Sequence, residues 1–146
     1  MPGIVCAIRG GPDSQPTIEK AISLAGKTKL QLHFLYVVNL NFLTRTESSR
    51  TGFISEELEQ MGEFILLTAQ EKAKAQNIFA EGVVRHGQVS EEIIRLAKDI
   101  QADYVVLGLP QGIEENDVFA NDKINELSKK IETETHAKVV FAGRLE

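Results

Sequence analysis

Between Ile78 and Gly108 the sequence reads IFAEGVVRHGQVSEEIIRLAKDIQADYVVLG, and its hydrophobic period changes twice within that span. Ile78 to Arg85 is short, apolar and rich in valine, which predicts a strand ending at His86-Gly87. From about Val89 to Ile100 the period becomes helical, with Ile93, Ala97 and Ile100 on one face and Glu91 and Glu92 in the first turn. Tyr104-Val105-Val106-Leu107-Gly108 then returns to an unbroken apolar run, the pattern of a strand buried on both faces. Strand, helix and strand in this order make a crossover unit, and such units build parallel sheets.

The same alternation continues outward in both directions. Upstream, Ile4 to Ile8 predicts a first strand buried on both faces, followed by the turn-rich Gly10-Gly11-Pro12-Asp13-Ser14. Ile18, Ala21, Ile22 and Ala25 form the stripe of a first helix, which we expect Gly26 to close. Leu30 to Val38 predicts a second strand. Asn39 to Gly52 is polar and irregular, and is expected to be a long loop containing Arg45 and Arg50. A helix is expected from Ser55 to about Ala75, capped by Ser55, with Leu58, Met61, Ile65, Ala69 and Ala73 inward. Downstream, Leu109 to Ala120 reads as an acidic loop, Asn121 to Glu134 as a helix with Ile124, Leu127 and Ile131 inward, and Val139-Val140-Phe141 as a closing strand. The expected architecture is a single α/β domain over 1–146, a five-stranded parallel sheet with helices on both faces.

Composition narrows the function. The chain has 146 residues, a formal charge of −5 and no tryptophan, so the basic face that nucleic-acid binding needs is not expected. No apolar run is long enough to span a bilayer, and no basic region precedes the first strand, so neither a membrane segment nor a signal peptide is expected. The one cysteine, Cys6, falls within an apolar run and reads as a small core residue, and a lone cysteine agrees with a reducing cytoplasm.

In open parallel sheets, ligands bind beyond the carboxyl ends of the strands where the strand order reverses. That directs attention to Arg9-Gly10-Gly11, Val38-Asn39, His86-Gly87 and Gly108-Leu109-Pro110-Gln111-Gly112. A charge at Arg9 is expected to be paired, with Asp13 or a loop acid, or to face a ligand. His33 is expected to be partly buried, His136 solvated, and His86 to be the histidine best placed for a functional role. None of the three has the spacing of a metal set, and no nucleophile–base pairing stands out, so no enzymatic activity is expected.

The chain resembles the universal stress protein family over essentially its whole length. The most specific part of the likeness is His86-Gly87-Gln88-Val89-Ser90-Glu91-Glu92-Ile93 leading to Ala102-Asp103-Tyr104-Val105-Val106-Leu107-Gly108. The resemblance implies a Rossmann-like sheet in the order 3-2-1-4-5, a crevice between the first and fourth strands, and a homodimer built through the fifth strand. It also implies a nucleotide crevice lined by Ile8, Arg9, Gly10, Val38, Gly87, Gly108, Pro110, Gln111, Gly112, Asn121 and Asp122. ATP-binding members have an aspartate after the first strand and G-x-x-G, nine residues, then G-[ST]. Here Arg9 or Gly10 takes the aspartate's place, Gln111 or a shifted Gly112 takes that of the second glycine, and the count lands on Asn121-Asp122 or Asp122-Lys123. Glu114, Glu115, Asp117 and Asp122 crowd the segment that would wrap phosphates, where like charges repel. The expectation is a cytoplasmic stress-response module that needs no cofactor and binds a protein partner or another small ligand. The alternative is an ATP or AMP switch using Mg²⁺.

Overall fold

The computed structural model describes residues 3–9, 14–38, 48–108 and 118–142. Strands β1 (Gly3–Ala7), β2 (Gln31–Val38), β3 (Ala80–His86), β4 (Tyr104–Gly108) and β5 (Lys138–Ala142) alternate with helices α1 (Gln15–Thr28), α2 (Ser48–Lys74), α3 (Val89–Ile100) and α4 (Val118–Thr135). All pairings are parallel, in the order β3-β2-β1-β4-β5. The order reverses between β1 and β4, as the resemblance implies.

Two apolar layers follow from the pleat, because neighbouring residues of a strand face opposite sides. Ile4, Cys6, Leu32, Phe34 and Val106 pack with Ile18, Ile22 and Ala25 of α1 and Leu66, Ala69 and Ala73 of α2. On the other face Val5, Leu35, Val105 and Leu107 meet Ile93, Leu96 and Ala97 of α3 and Ile131 of α4. Helices α1 and α2 thus lie on one side and α3 and α4 on the other, the arrangement right-handed crossovers produce. Each fully buried Ile, Leu or Phe here contributes about 1.5–3 kcal/mol. Cys6 is fully buried, and burial pushes its thiol well above the ordinary range, so it is the core residue expected.

Several boundaries differ from the sequence reading. Helix α1 does not stop at Gly26 but runs to Thr28, and Lys29 closes it in the left-handed region at φ 63°, its N–H bonding Ala25 O. Helix α2 begins at Ser48, so Ser55 is an interior residue and the last part of the expected Asn39–Gly52 loop is helical. Once a helix has nucleated, adding a polar residue or a Gly52 costs at most about 1 kcal/mol. Helix α4 likewise begins at Val118 rather than Asn121. The inward stripe of α2 holds in part: Ala69 and Ala73 are buried and Ile65 packs on the core as expected, but Met61 is exposed and Gly62 and Leu66 are buried instead. Gly62 lets the helix approach β2 closely, because a Cβ there would overlap the Tyr36 ring.

Candidate functional site

At the reversal point β1 ends beside β4, and α1 starts just after β1. The Ile8 amide donates to Leu35 O at 2.9 Å, holding a buried side chain at the end of the strand. Arg9 follows; its N–H donates to Ser14 Oγ at 3.3 Å, which ties the strand end to the residue ahead of α1. Its side chain is exposed, so water removes the burial cost expected for it. The Asp13 and loop-acid partners considered for it lie outside the described residues, as do Gly10, Pro110, Gln111 and Gly112.

Val38 is buried at the end of β2, and its carbonyl accepts the Gly87 N–H at 3.0 Å. Ile8, Val38, Gly87 and Gly108 are therefore brought to one end of the sheet, on strands β1 to β4. Gly108 has a structural cause that the sequence hides. A Cβ there would overlap Oγ1 of Thr17, a buried residue in the first turn of α1, so the missing side chain is what lets α1 close onto β4. Gly87 takes φ 139°, which side chains rarely adopt, and a Cβ there would stand 3.1 Å from the Glu92 carboxylate.

That carboxylate is a feature the sequence reading missed. Glu92 is expected only as an acid of the first turn, yet its side chain is just 6% exposed. It accepts Arg95 Nη1 at 2.8 Å and lies 3.8 Å from Arg85 Nη1, while Arg85 Nη2 also reaches Asp99 at 3.1 Å. The buried charge is thus matched by two guanidinium groups. His86 pairs with Glu59 of α2 at 3.0 Å. It sits on the edge strand, separated from the β1–β4 junction by β2. Burial lowers the pKa of His33, opposed by Glu81, and His136 is exposed at the end of α4, as expected of both.

Asn121 and Asp122 lie inside α4, after its first three residues, rather than at its start. Gln15, the first residue of α1, holds a buried Oε1 with no hydrogen-bond partner among the described residues. No group of three or more His, Cys, Asp or Glu suited to a metal ion occurs among the described residues. Among those residues, too, no helix is long and apolar enough to cross a membrane.

Comparison with known proteins agrees with this geometry. The model of the Universal stress protein family matches residues 2–114. Universal stress protein YxiE of Bacillus subtilis (strain 168) is 30% identical over 115 residues, covering 72% of this chain and 76% of that one. Universal stress protein UspA from Lactobacillus plantarum superposes with a TM-score of 0.76 at 15% identity, covering 97% of both chains. The universal stress protein from Archaeoglobus fulgidus, solved in complex with dAMP, superposes with a TM-score of 0.64 at 12% identity, covering 97% of this chain and 98% of its own.

Proposed function

The chain belongs to the universal stress protein family, and from that premise we propose that it is a non-catalytic stress-response module that does not hold ATP in the manner of the family's ATP-binding members. The start of α4 carries this reading. An incoming phosphate is held by the free amides of a helix's first turn and by a hydroxyl beside them. Asn121 and Asp122 fall after the first three residues of α4, and neither brings a hydroxyl. Gly108, the glycine that remains of the motif, has its open side filled by Thr17. Arg9 or Gly10 takes the place of the aspartate that ATP-binding members carry after the first strand. The residues present do not fit a triphosphate in the family's mode, and the module acts instead through a protein partner or another small ligand, as a cytoplasmic homodimer joined through β5.

A nucleotide-dependent switch is the second reading, favoured by one observation. Among the described residues the buried Gln15 Oε1, at the start of α1, has no donor, and a ligand N–H or O–H would satisfy it. In this reading an adenine lies against Val38 and the phosphates against Gly108 to Gly112, with Mg²⁺ beside them. The fold likeness to a protein solved with dAMP supports it.

Mass spectrometry of small molecules released on denaturing the freshly purified protein separates the two. The expected result is no stoichiometric nucleotide, and no heat of binding on adding ATP with Mg²⁺. Stoichiometric ATP, ADP or AMP would establish the switch instead. Arg9→Glu is then the variant to use, because an exposed side chain can be reversed in charge without disturbing the core.

A further inference from the structure

The outer face of α2 carries a pattern that the fold does not use. Glu57, Gln60, Phe64, Leu67, Glu71 and Lys74 recur at alternating intervals of three and four residues, the spacing of a coiled-coil seam, and all six are exposed. At the centre of the stripe Phe64 is 70% exposed and Leu67 54%. Large apolar side chains grouped on one exposed face mark an interaction surface more often than isolated ones do. Beside Leu67 runs a groove of ≈ 390 Å³, lined by Glu63, Leu66, Leu67, Gln70, Gly82 and Val84 between α2 and β3. Phe79, at the start of the same edge, is 76% exposed.

We propose that this face is an interface for a second copy of the chain, with the two α2 helices antiparallel about a two-fold axis midway between Phe64 and Leu67. The charges choose the partner and its direction. The stripe is palindromic about that axis, so Phe64 meets the partner's Leu67, Gln60 the partner's Glu71, and Glu57 the partner's Lys74. Every contact occurs twice, as a two-fold interface requires. Packed in parallel, the same helices would set Glu57, Glu71 and Lys74 each against its own copy, three like-charge contacts. In the antiparallel pair the Phe64 ring enters the groove beside the partner's Leu67, lined also by Leu66 and Val84. β3 and β5 are opposite edges of the sheet, so this contact leaves the β5 edge free.

Sedimentation velocity over about 5–500 µM chain tests the interface, since a seam this short belongs to the weak class of contacts. The variants are Phe64→Asp, Glu57→Lys, Lys74→Glu and the double Glu57→Lys/Lys74→Glu, all at exposed positions, with unchanged thermal unfolding as the control for folding. Phe64→Asp should halve the mass of the largest species, each single charge reversal should weaken association several-fold, and the double reversal should restore it. In a second measurement Leu67→Cys should join two chains through a short bis-maleimide, because Cys6 is fully buried and does not compete. The inference is overturned if Phe64→Asp leaves the mass unchanged, if the double reversal fails to restore association, or if the wild-type chain shows no association beyond what a β5-edge block abolishes. A different protein seated on this face while Leu67→Cys fails to cross-link would overturn it as well.

Discussion

An alanine at position 108 would put its methyl group onto the hydroxyl of Thr17, which is buried. Overpacking of this kind costs about 1–3 kcal/mol. For a domain of this size that lowers Tm by roughly 2–10 °C. We therefore expect Gly108→Ala to lower Tm measurably, and Gly108→Ala/Thr17→Ala to recover part of the loss, which a thermal-melt double-mutant cycle would read as coupling between the two sites. An unchanged Tm for Gly108→Ala would mean that the glycine is kept open for a ligand. A larger Gly108→Val would mix folding with binding, because its side chain meets Thr17 first. The site was legible only in part for the same reason. Sequence indicates the strand ends, so Ile8, Val38, Gly87 and Gly108 could be assigned to one end of the sheet. The groups that explain them, Thr17 and Glu92, act through packing that spacing does not display, and nothing in the order of residues tells a buried Glu92 from an exposed Glu91.

Helix and strand limits were legible where the period changes sharply. Val89–Ile100 and Tyr104–Gly108 are found as the hydrophobic pattern predicts them, because an apolar run bounded by glycine or by charge leaves little choice of frame. The starts of α2 and α4 were not: Ser48 to Thr51 are polar residues that extend a formed helix at small cost and carry no inward stripe, and Val118-Phe119-Ala120 is too short a run to show a helical period. Helix ends were hidden for a related reason. Three helices close on Lys29, Gln101 and His136, all with positive φ, where glycine would be the usual signal. Gln101 has φ 54°, and its N–H bonds Ala97 O and Lys98 O, so the left-handed turn is fixed by its hydrogen bonds and the side chain is not needed. A non-glycine residue pays roughly 1–2 kcal/mol for that conformation, partly returned by its smaller loss of chain entropy. Gln101→Gly should accordingly raise stability by about 0.5–1 kcal/mol, seen as a higher urea midpoint with the slope unchanged. A lower midpoint would show that the glutamine side chain stabilises the turn.

At the scale of the molecule, alternating strands and helices were enough to foresee a parallel sheet with two covered faces, whereas the order of its strands was not in the periodicity. Five strands joined by crossovers allow several orders, and the likeness at His86–Ile93 and Ala102–Gly108 supplied the one found. The reversal at β1 has an energetic consequence beyond the crevice it opens. It sends α1 and α2 to one side and α3 and α4 to the other, so the apolar interior is two layers with the sheet backbone between them. Ile22 of α1 is buried in one layer and Ile93 of α3 in the other. Neither is in the other's cluster, so trimming one should leave the surroundings of the other in place. Ile22→Val and Ile93→Val should each cost about 0.5–1.5 kcal/mol. The double variant should lose their sum to within about 0.5 kcal/mol, measured by urea unfolding. A shortfall or excess beyond that would mean that strain passes through the central strands from one layer to the other. The sheet would then be a mechanical link between its two faces, able to carry a change at the crevice to helices on the far side.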